Sequence, residues 1–265
     1  MKRSKRKALG QHFLTNKKVL TKIINVISPQ KQDLIIEIGA GKGVLTFPLA
    51  EKAGKVIAFE KDEAFIPILK SKPFPNLTIL HKDIFKAQFS EFAKDKNLKV
   101  AGNLPYSISS QILFKVLSEK EHITQCTFLL QKEVAERVCA QPGSKKFAPI
   151  SILFQIYFET HLCFTVSSKN FRPQPKVESA LVTLNKRDLP LFHIENEDLF
   201  KKFLKTSFQH RRKKLSNNLK GLNFSLFDIK NAFNYCQIND GLRAEQINIS
   251  QFVALFNFLY KSSIN

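Results

Sequence analysis

The sequence has few of the residues that build disulfide frameworks or metal centres. It contains four cysteines, which lie far apart and form no Cys-x-x-Cys pair, and its six histidines form no cluster with ligand spacing. Structural zinc sites and disulfide scaffolds need such closely spaced residues. We therefore expect reduced cysteines and no metal site.

Long apolar runs are also absent. No segment approaches the ~18 consecutive apolar residues that span a bilayer. The basic start of the chain, MKRSKRKALGQHFL, has no apolar stretch that suits a signal peptide. These absences lead us to expect a soluble cytoplasmic protein with no membrane partner.

Acidic residues are scarce relative to basic ones. Asp and Glu total 22 against 42 Lys and Arg, which gives a formal net charge of +20 in 265 residues. A balance this basic favours a polyanionic partner such as nucleic acid, although the excess charge alone is also compatible with a role in solubility. A chain of this length can bury a full core.

Hydrophobic periodicity divides the chain into two domains. Between residues 33 and 184, short β-rich segments alternate with helical ones, which is typical of a parallel sheet covered by helices. We predict one seven-stranded Rossmann-like α/β sheet, with strands at residues 33–38, 56–60, 77–81, 98–102, 124–130, 161–166 and 179–184. After residue 186 only amphipathic helical patterns recur. The predicted domains are residues 1–186, an α/β domain, and residues 187–265, a small all-helical domain.

A glycine-rich turn follows the first predicted strand. Gly39 and Gly41 lie in the run EIGAGKG, whose spacing differs from both the dinucleotide fingerprint and the phosphate loop. Glu60 ends the next strand, where a carboxylate can accept both hydroxyls of a ribose. Asp83 follows the third strand and can accept a hydrogen bond from an adenine amino group, with Ile84 as an apolar wall. An unliganded turn is the alternative, but the ordered set favours an adenosyl cofactor.

The most specific motif ends the fourth strand, where Asn103, Leu104, Pro105 and Tyr106 are followed by Ser107 as an expected helix cap. Adenine N6 is a poor nucleophile because its lone pair is delocalised into the ring. The Asn103 side-chain oxygen and the Leu104 carbonyl can accept the two amino hydrogens, while Pro105 stiffens the turn and Tyr106 offers a ring for stacking. This arrangement indicates methylation of an adenine amine, on a base that is single-stranded or flipped out.

Phe171 is a second aromatic candidate. It lies in the proline-rich segment NFRPQPKV at residues 170–177, just before the last predicted strand. With 25 phenylalanines in the chain, the default place for any one is the core. A loop between prolines is a less usual place for a core residue, so Phe171 could instead cover the target base opposite Tyr106, and both interpretations stay open at this point.

Several motifs together resemble one family. GQHFL at residues 10–14, EIGAGKGVLT at 37–46, NLPY at 103–106, LQKEVAERV at 130–138 and NFRPQPKVESA at 170–180 are similar to the ribosomal RNA adenine dimethyltransferases. The tail FQHRRKKLSNNL at 208–219 resembles the branch that acts on bacterial 16S rRNA. The chain departs from the family pattern at His12, where many relatives carry Asn, and at residues 146–151.

The resemblance implies a class I methyltransferase fold and S-adenosylmethionine as cofactor, with S-adenosylhomocysteine as product. It implies dimethylation of two adjacent adenosines in the loop of the 3′-terminal hairpin of 16S rRNA, within the assembling 30S subunit. It also implies site roles: His12 and Leu14 close over the cofactor; Gly39, Glu60 and Asp83 bind it; Asn103 contacts cofactor and target; Tyr106 and Phe171 flank the adenine.

Basic residues are the candidates for RNA contact. We look to Lys5 and Arg6 in the leader and to Arg211 and Arg212 in the second domain, although a run of charges is often only a solvated face. We expect a monomer. Two rival functions remain open: a 23S rRNA methyltransferase of the macrolide-resistance type, and a non-catalytic ribosome assembly factor.

Overall fold

A computed structural model describes residues 11–93, 98–222 and 224–262. Lys5 and Arg6 lie outside the described residues. Within them, the strands are β1 (Phe13–Leu14), β2 (Leu34–Ile38), β3 (Lys55–Glu60), β4 (Leu77–His81), β5 (Leu98–Asn103), β6 (Gln125–Gln131), β7 (Phe158–Val166), β8 (Phe171–Arg172) and β9 (Ser179–Lys186).

The helices of the described residues alternate with the strands at first and then follow one another. They are α1 (Lys17–Ile27), α2 (Thr46–Lys52), α3 (Ile66–Lys70), α4 (Ser109–Ser118), α5 (Lys132–Val138), α6 (Pro149–Tyr157), α7 (Glu197–Ser207), α8 (Leu215–Leu219), α9 (Leu226–Tyr235) and α10 (Ile249–Ser262). No helix in this part of the chain combines the length and apolarity needed to cross a membrane.

The strands form a seven-stranded sheet in the order β4-β3-β2-β5-β6-β9-β7, which confirms the predicted sheet. The strands from β4 to β6 run parallel, and β9 runs antiparallel to β6. Every residue of β2, LIIEI, is buried, as expected for a central strand covered on both faces. Because the five strands β4, β3, β2, β5 and β6 are parallel, the residues that follow them meet at one edge of the sheet, where these strands have their carboxyl ends.

A second, two-stranded sheet joins the start of the chain to the proline-rich segment. β1 pairs antiparallel with β8, with Phe13 opposite Arg172 and Leu14 opposite Phe171. Just beyond it, Asn16 caps α1, because its side chain accepts hydrogen bonds from the Lys18 and Val19 amides. The prediction that Ser107 caps a helix is wrong. The helix α4 begins at Ser109, and the residue at its N-cap position makes no capping hydrogen bond with its side chain.

The chain folds into two compact units. The first contains Met1–Ala135 and Glu159–Lys186, and the second contains Glu136–Phe158 and Arg187–Asn265. The sequence placed residues 136–158 in the first domain because they lie between two strands of the sheet. In the structure these residues group with the helical unit. There the Phe147 and Phe208 rings pack together with their centroids 6.1 Å apart, and the Gly143 amide donates to the Glu245 main-chain carbonyl at 2.7 Å.

Candidate active site

An open cavity lies in the first unit at the carboxyl ends of the parallel strands. Its lining includes every predicted cofactor residue and four of the five predicted catalytic residues: His12, Leu14, Gly39, Gly41, Glu60, Asp83, Ile84, Asn103, Leu104, Pro105 and Tyr106.

Gly41 shapes the loop between β2 and α2. Its φ of +54° lies in the left-handed region, and a Cβ there would stand 2.9 Å from Phe13 Cε1. Its amide donates to Glu60 Oε2 at 2.7 Å. Only glycine satisfies both the backbone conformation and the close approach of the Phe13 ring.

Glu60 is buried at the end of β3, with 4% of its surface exposed. Besides the Gly41 amide on Oε2, it accepts the Asp62 amide on Oε1 at 2.7 Å. Each carboxylate oxygen has two lone pairs, so one acceptor position remains on each oxygen. A buried carboxylate with two such positions suits a pair of vicinal hydroxyls.

Asp83 lies beyond β4 at the same edge of the sheet. Its Oδ1 accepts the Phe85 amide at 3.1 Å and its Oδ2 accepts Lys61 Nζ at 2.7 Å. Burial raises the pKa of Asp83, but the hydrogen bonds from Lys61 and Phe85 and the charge of Lys61 outweigh it and hold that pKa below its usual value. Asp83 is therefore ionised at neutral pH and acts only as an acceptor.

Glu37 is a cavity residue that the sequence analysis did not single out. It is 2% exposed at the fourth of the five positions of β2, and its Oε2 has no hydrogen-bond partner among the described residues. Burial raises its pKa to about 7, the Thr46 hydroxyl opposes that rise, and the charge of Glu60 adds to it. A charged residue within an otherwise apolar buried strand was the sequence signal that could have identified it.

Two other buried polar atoms that line the cavity, Gln11 Oε1 and Thr127 Oγ1, also have no partner within the described part of the chain. Buried polar groups cost free energy unless they are hydrogen-bonded. Together with Glu37 Oε2, they indicate a cavity that is built for a polar ligand.

Asn103 occupies the end of β5 on the cavity wall. Its Nδ2 donates to the main-chain carbonyl of His12 at 2.8 Å. A carbonyl can only accept, so this contact fixes which end of the amide is nitrogen. The side-chain oxygen of Asn103 is left as an acceptor, and the residue belongs to the cavity lining.

Tyr106 follows in the same turn and is half-buried. Its hydroxyl lies 2.7 Å from Ser179 Oγ, and its ring lies 5.2 Å from the His12 ring, centroid to centroid. Burial raises the pKa of Tyr106, with the Ser179 hydrogen bond opposing the rise. The phenol therefore stays protonated at neutral pH.

The structure does not bring Phe171 into the cavity lining. The ring is fully buried, belongs to a hydrophobic cluster with Leu14, Val166 and Leu181, and is not part of the cavity lining. The reason is the pairing of β8 with β1, which turns Phe171 and its partner Leu14 toward the core. At this position the proline-rich segment therefore contributes a core residue that packs beside Leu14, which lines the cavity.

The two arginines predicted to contact RNA differ in their surroundings. The Arg211 guanidinium donates to the Lys145 and Phe147 carbonyls, which ties it to the loop before α6. Arg212 is exposed. Arg211 thus has a structural contact that the run of basic residues did not reveal.

The described residues contain no group of three or more His, Cys, Asp or Glu side chains placed to hold a metal ion. The described cysteines are all free, and Cys126 is buried. Burial alone raises the pKa of Cys126 well above its usual value. A thiol in that state is poorly reactive.

Comparisons with known proteins point to one family. A sequence profile of the family described as ribosomal RNA adenine dimethylase matches residues 2–261. A Clostridium acetobutylicum protein named ribosomal RNA small subunit methyltransferase A is 38% identical over 96% of this chain and 94% of its own. A protein of the same name from Ligilactobacillus salivarius is 36% identical over 98% of this chain and 92% of its own.

Solved structures agree with the profile. The crystal structure of a dimethyladenosine transferase from Plasmodium falciparum has a TM-score of 0.82 at 25% identity and covers 95% of this chain and 98% of that one. The crystal structure of the 23S rRNA methyltransferase ErmE has a TM-score of 0.74 at 22% identity over 94% of this chain and 99% of that one, which shows the shared fold. With a profile that matches nearly the whole chain, this protein belongs to the ribosomal RNA adenine dimethylase family.

Proposed function

We propose that this family member uses S-adenosylmethionine to dimethylate the N6 amines of two adjacent adenosines in the loop of the 3′-terminal hairpin of 16S rRNA, within the 30S particle. Its family membership makes it an rRNA adenine methyltransferase, and the relatives at 38% and 36% identity carry small-subunit names. The observation that carries the proposal is the Asn103 amide, whose orientation on the cavity wall is set by the His12 carbonyl.

The cavity residues fit an adenosyl cofactor. Glu60 retains two acceptor positions for the ribose hydroxyls, Asp83 is an ionised acceptor for the adenine amino group, and the buried Ile84 supplies an apolar wall beside it. The unpaired Oε2 of Glu37 suits the ammonium group of the methionine portion. When bound, S-adenosylmethionine supplies an electrophilic methyl group on a positively charged sulfur and leaves as S-adenosylhomocysteine.

Asn103 and Leu104 are the groups that we assign to the target amine. With Nδ2 held by His12, Asn103 presents Oδ1 to one amino hydrogen, and the main-chain carbonyl of Leu104 accepts the other. Two acceptors on the hydrogens favour a pyramidal nitrogen, whose lone pair is then available for attack. The first methyl group replaces one of the two hydrogens, which leaves the nitrogen as a proton to solvent, and the remaining hydrogen needs only one of the two acceptors. The same pair therefore serves both transfers to each adenosine.

Pro105 and Tyr106 shape the surface on which the base is held. Pro105 has no amide hydrogen, so it places no competing donor beside the two acceptors. Its carbonyl accepts the Ile108 amide at 3.1 Å, which closes the turn that presents the Tyr106 ring to the cavity. The ring provides an apolar face for a flipped-out adenine.

Basic side chains supply the affinity for rRNA in this proposal. Lys5, Arg6 and Arg212 neutralise phosphates, while Arg211 holds the loop at residues 145–147 and keeps further donors for RNA. The first compact unit, residues 1–135 and 159–186, forms the catalytic part, and the second, residues 136–158 and 187–265, recognises the rRNA. The protein acts as a cytoplasmic monomer with no metal, because transfer of a methyl group from a sulfonium needs no Lewis acid.

The test measures methyl transfer to undermethylated 30S subunits and, separately, to free 23S rRNA. We expect transfer to the 30S subunits alone, and a loss of about 100-fold or more in kcat for Asn103→Ala with 30S binding retained. Asn25→Ala, an exposed asparagine in α1, is the matched control and should behave as wild type.

Three outcomes would contradict the proposal. Methylation of 23S rRNA alone would identify the macrolide-resistance type of enzyme. Binding to 30S subunits with no transfer by the wild-type protein would identify an assembly factor. Loss of 30S binding in step with activity would remove the chemical role assigned to Asn103.

A further inference from the structure

The ring of Tyr106 is held from two directions. Its hydroxyl lies 2.7 Å from Ser179 Oγ, and Ser179 is fully buried at the start of β9. The ring also lies beside the His12 imidazole, with ring centroids 5.2 Å apart and planes tilted by 36°. Both neighbours are distant from Tyr106 in sequence, so tertiary structure fixes where the ring points.

His12 is itself tied to the proline-rich segment. Its Nδ1 lies 2.7 Å from the Pro173 carbonyl, and because a carbonyl only accepts, Nδ1 carries the hydrogen and donates it. The main-chain carbonyl of His12 holds the Asn103 amide at 2.8 Å. His12 therefore touches both the amide and the ring that we assign to the target adenine.

The His12 and Tyr106 rings stand too close together to sandwich a base. A base inserted between two rings needs about 7 Å between them, twice a contact distance of ~3.5 Å, whereas these centroids are 5.2 Å apart. The two rings are therefore neighbouring parts of one cavity wall, and His12 supports Tyr106 from the side.

We infer that His12 and Ser179 are positioning residues that hold the Tyr106 ring in the orientation that receives the target adenine. The inference rests on the proposed function, because it concerns the base methylated in that reaction. What it adds is that the His12 side chain acts on the target adenine of the rRNA, whereas the family resemblance assigned His12 to the cofactor.

The first test removes the hydrogen bond between Tyr106 and Ser179 from either end. Tyr106→Phe and Ser179→Ala both keep the aromatic ring but remove the hydrogen bond that orients it, so each should lower kcat on 30S subunits by about threefold to tenfold. The double variant should lose no more kcat than the more impaired of the two single variants. Ser207→Ala is the matched control, because Ser207 is equally buried and its hydroxyl donates to the Phe203 carbonyl within α7. Additive losses would overturn the inference.

The second test separates the two contacts of His12. His12→Asn keeps a side-chain N–H near the position of Nδ1 and removes the ring, while His12→Ala removes both; each keeps the carbonyl that holds Asn103. We expect kcat to fall from wild type to Asn to Ala by about tenfold in total. The dissociation constant of S-adenosylhomocysteine, measured by calorimetry, should stay within about twofold of wild type. Weakening of that ligand in step with kcat would place the side chain at the cofactor and refute the inference.

A spectroscopic signature completes the design. The chain has four tyrosines, so carbon-13 labelling of their rings gives few signals, and Tyr106→Phe identifies the one of interest. Ser179→Ala and His12→Ala should shift that signal, and Ser207→Ala should not. A shift with unchanged kcat would mean that the contacts are only structural. If the wild-type protein transferred no methyl group, the proposed function would fail instead, so the two failures are distinct.

Discussion

The buried carboxyl of Glu37 makes cofactor binding depend on pH. Burial raises its pKa to about 7, so at pH 6 about one tenth of the protein carries the ionised form and at pH 8 about nine tenths does. If the ammonium group of the ligand requires the ionised carboxylate, apparent affinity scales with that fraction. We expect S-adenosylhomocysteine to bind about tenfold more weakly at pH 6 than at pH 8, measured by calorimetry.

Glu37→Gln isolates this effect, because an amide has nearly the shape of a protonated carboxyl. The variant should bind weakly and with little change between pH 6 and pH 8, whereas the exposed control Glu63→Gln should follow wild type. A tenfold pH dependence that persists in Glu37→Gln would refute the reasoning, since the titrating group would then lie elsewhere.

The raised pKa of Glu37 also makes the stability of the ligand-free protein depend on pH, but stability falls as pH rises, whereas cofactor binding strengthens. The folded protein holds the Glu37 proton more tightly than the unfolded chain, whose carboxyl has the usual value of 4.5. The contribution to stability is therefore fully present below about pH 4.5 and is lost as pH rises through about 7. The loss approaches about 3 kcal/mol, and urea denaturation should show it in wild type but not in Glu37→Gln.

Three further predictions concern particular residues. Gly41→Ala should cost about 1–2 kcal/mol in urea denaturation and weaken S-adenosylhomocysteine binding, because the new Cβ would meet the Phe13 ring at 2.9 Å. Phe171→Ala should destabilise the protein by about 3–5 kcal/mol, while Phe171→Leu, which keeps an apolar side chain in the core, should retain kcat within a few-fold. Arg212→Gln should reduce the log–log salt slope of 30S binding by about 0.7–0.9, whereas Arg211→Gln should speed amide hydrogen exchange in the loop at residues 145–148.

Each of these has a control or a contrary result. Gly143→Ala also forces a side chain to a positive φ, but nothing lies within 4 Å of its Cβ, so cofactor affinity should be unchanged. A large loss of kcat in Phe171→Leu with wild-type stability would restore Phe171 to the base site. An unchanged salt slope in Arg212→Gln would show that Arg212 contacts no phosphate.

The sheet could be predicted because its strands carry a local signal. Buried runs such as LIIEI in β2 alternate with helical segments, and parallel order follows from that alternation. Two elements lacked such a signal. α6 is buried along its whole second half and shows no amphipathic face, and the pair β1 and β8 joins two-residue strands from opposite ends of the first unit.

The candidate site also contains residues that the sequence could predict and residues that it could not. Residues at the ends of parallel strands, such as Glu60 and Asn103, were predictable because parallel strands bring their carboxyl ends together. The burial of Phe171 depends on the β1 and β8 pairing, which the sequence does not reveal. Likewise, a run of four basic residues does not distinguish Arg211, which binds main-chain carbonyls, from its exposed neighbour Arg212.

The most direct test of the central claim maps dimethyladenosine by mass spectrometry in undermethylated 30S subunits after incubation with this protein and S-adenosylmethionine. Our account predicts four added methyl groups, two on each of two adjacent adenosines in the loop of the 3′-terminal hairpin of 16S rRNA, and almost none with Asn103→Ala. Methyl groups at any other position, or on 23S rRNA instead, would contradict it.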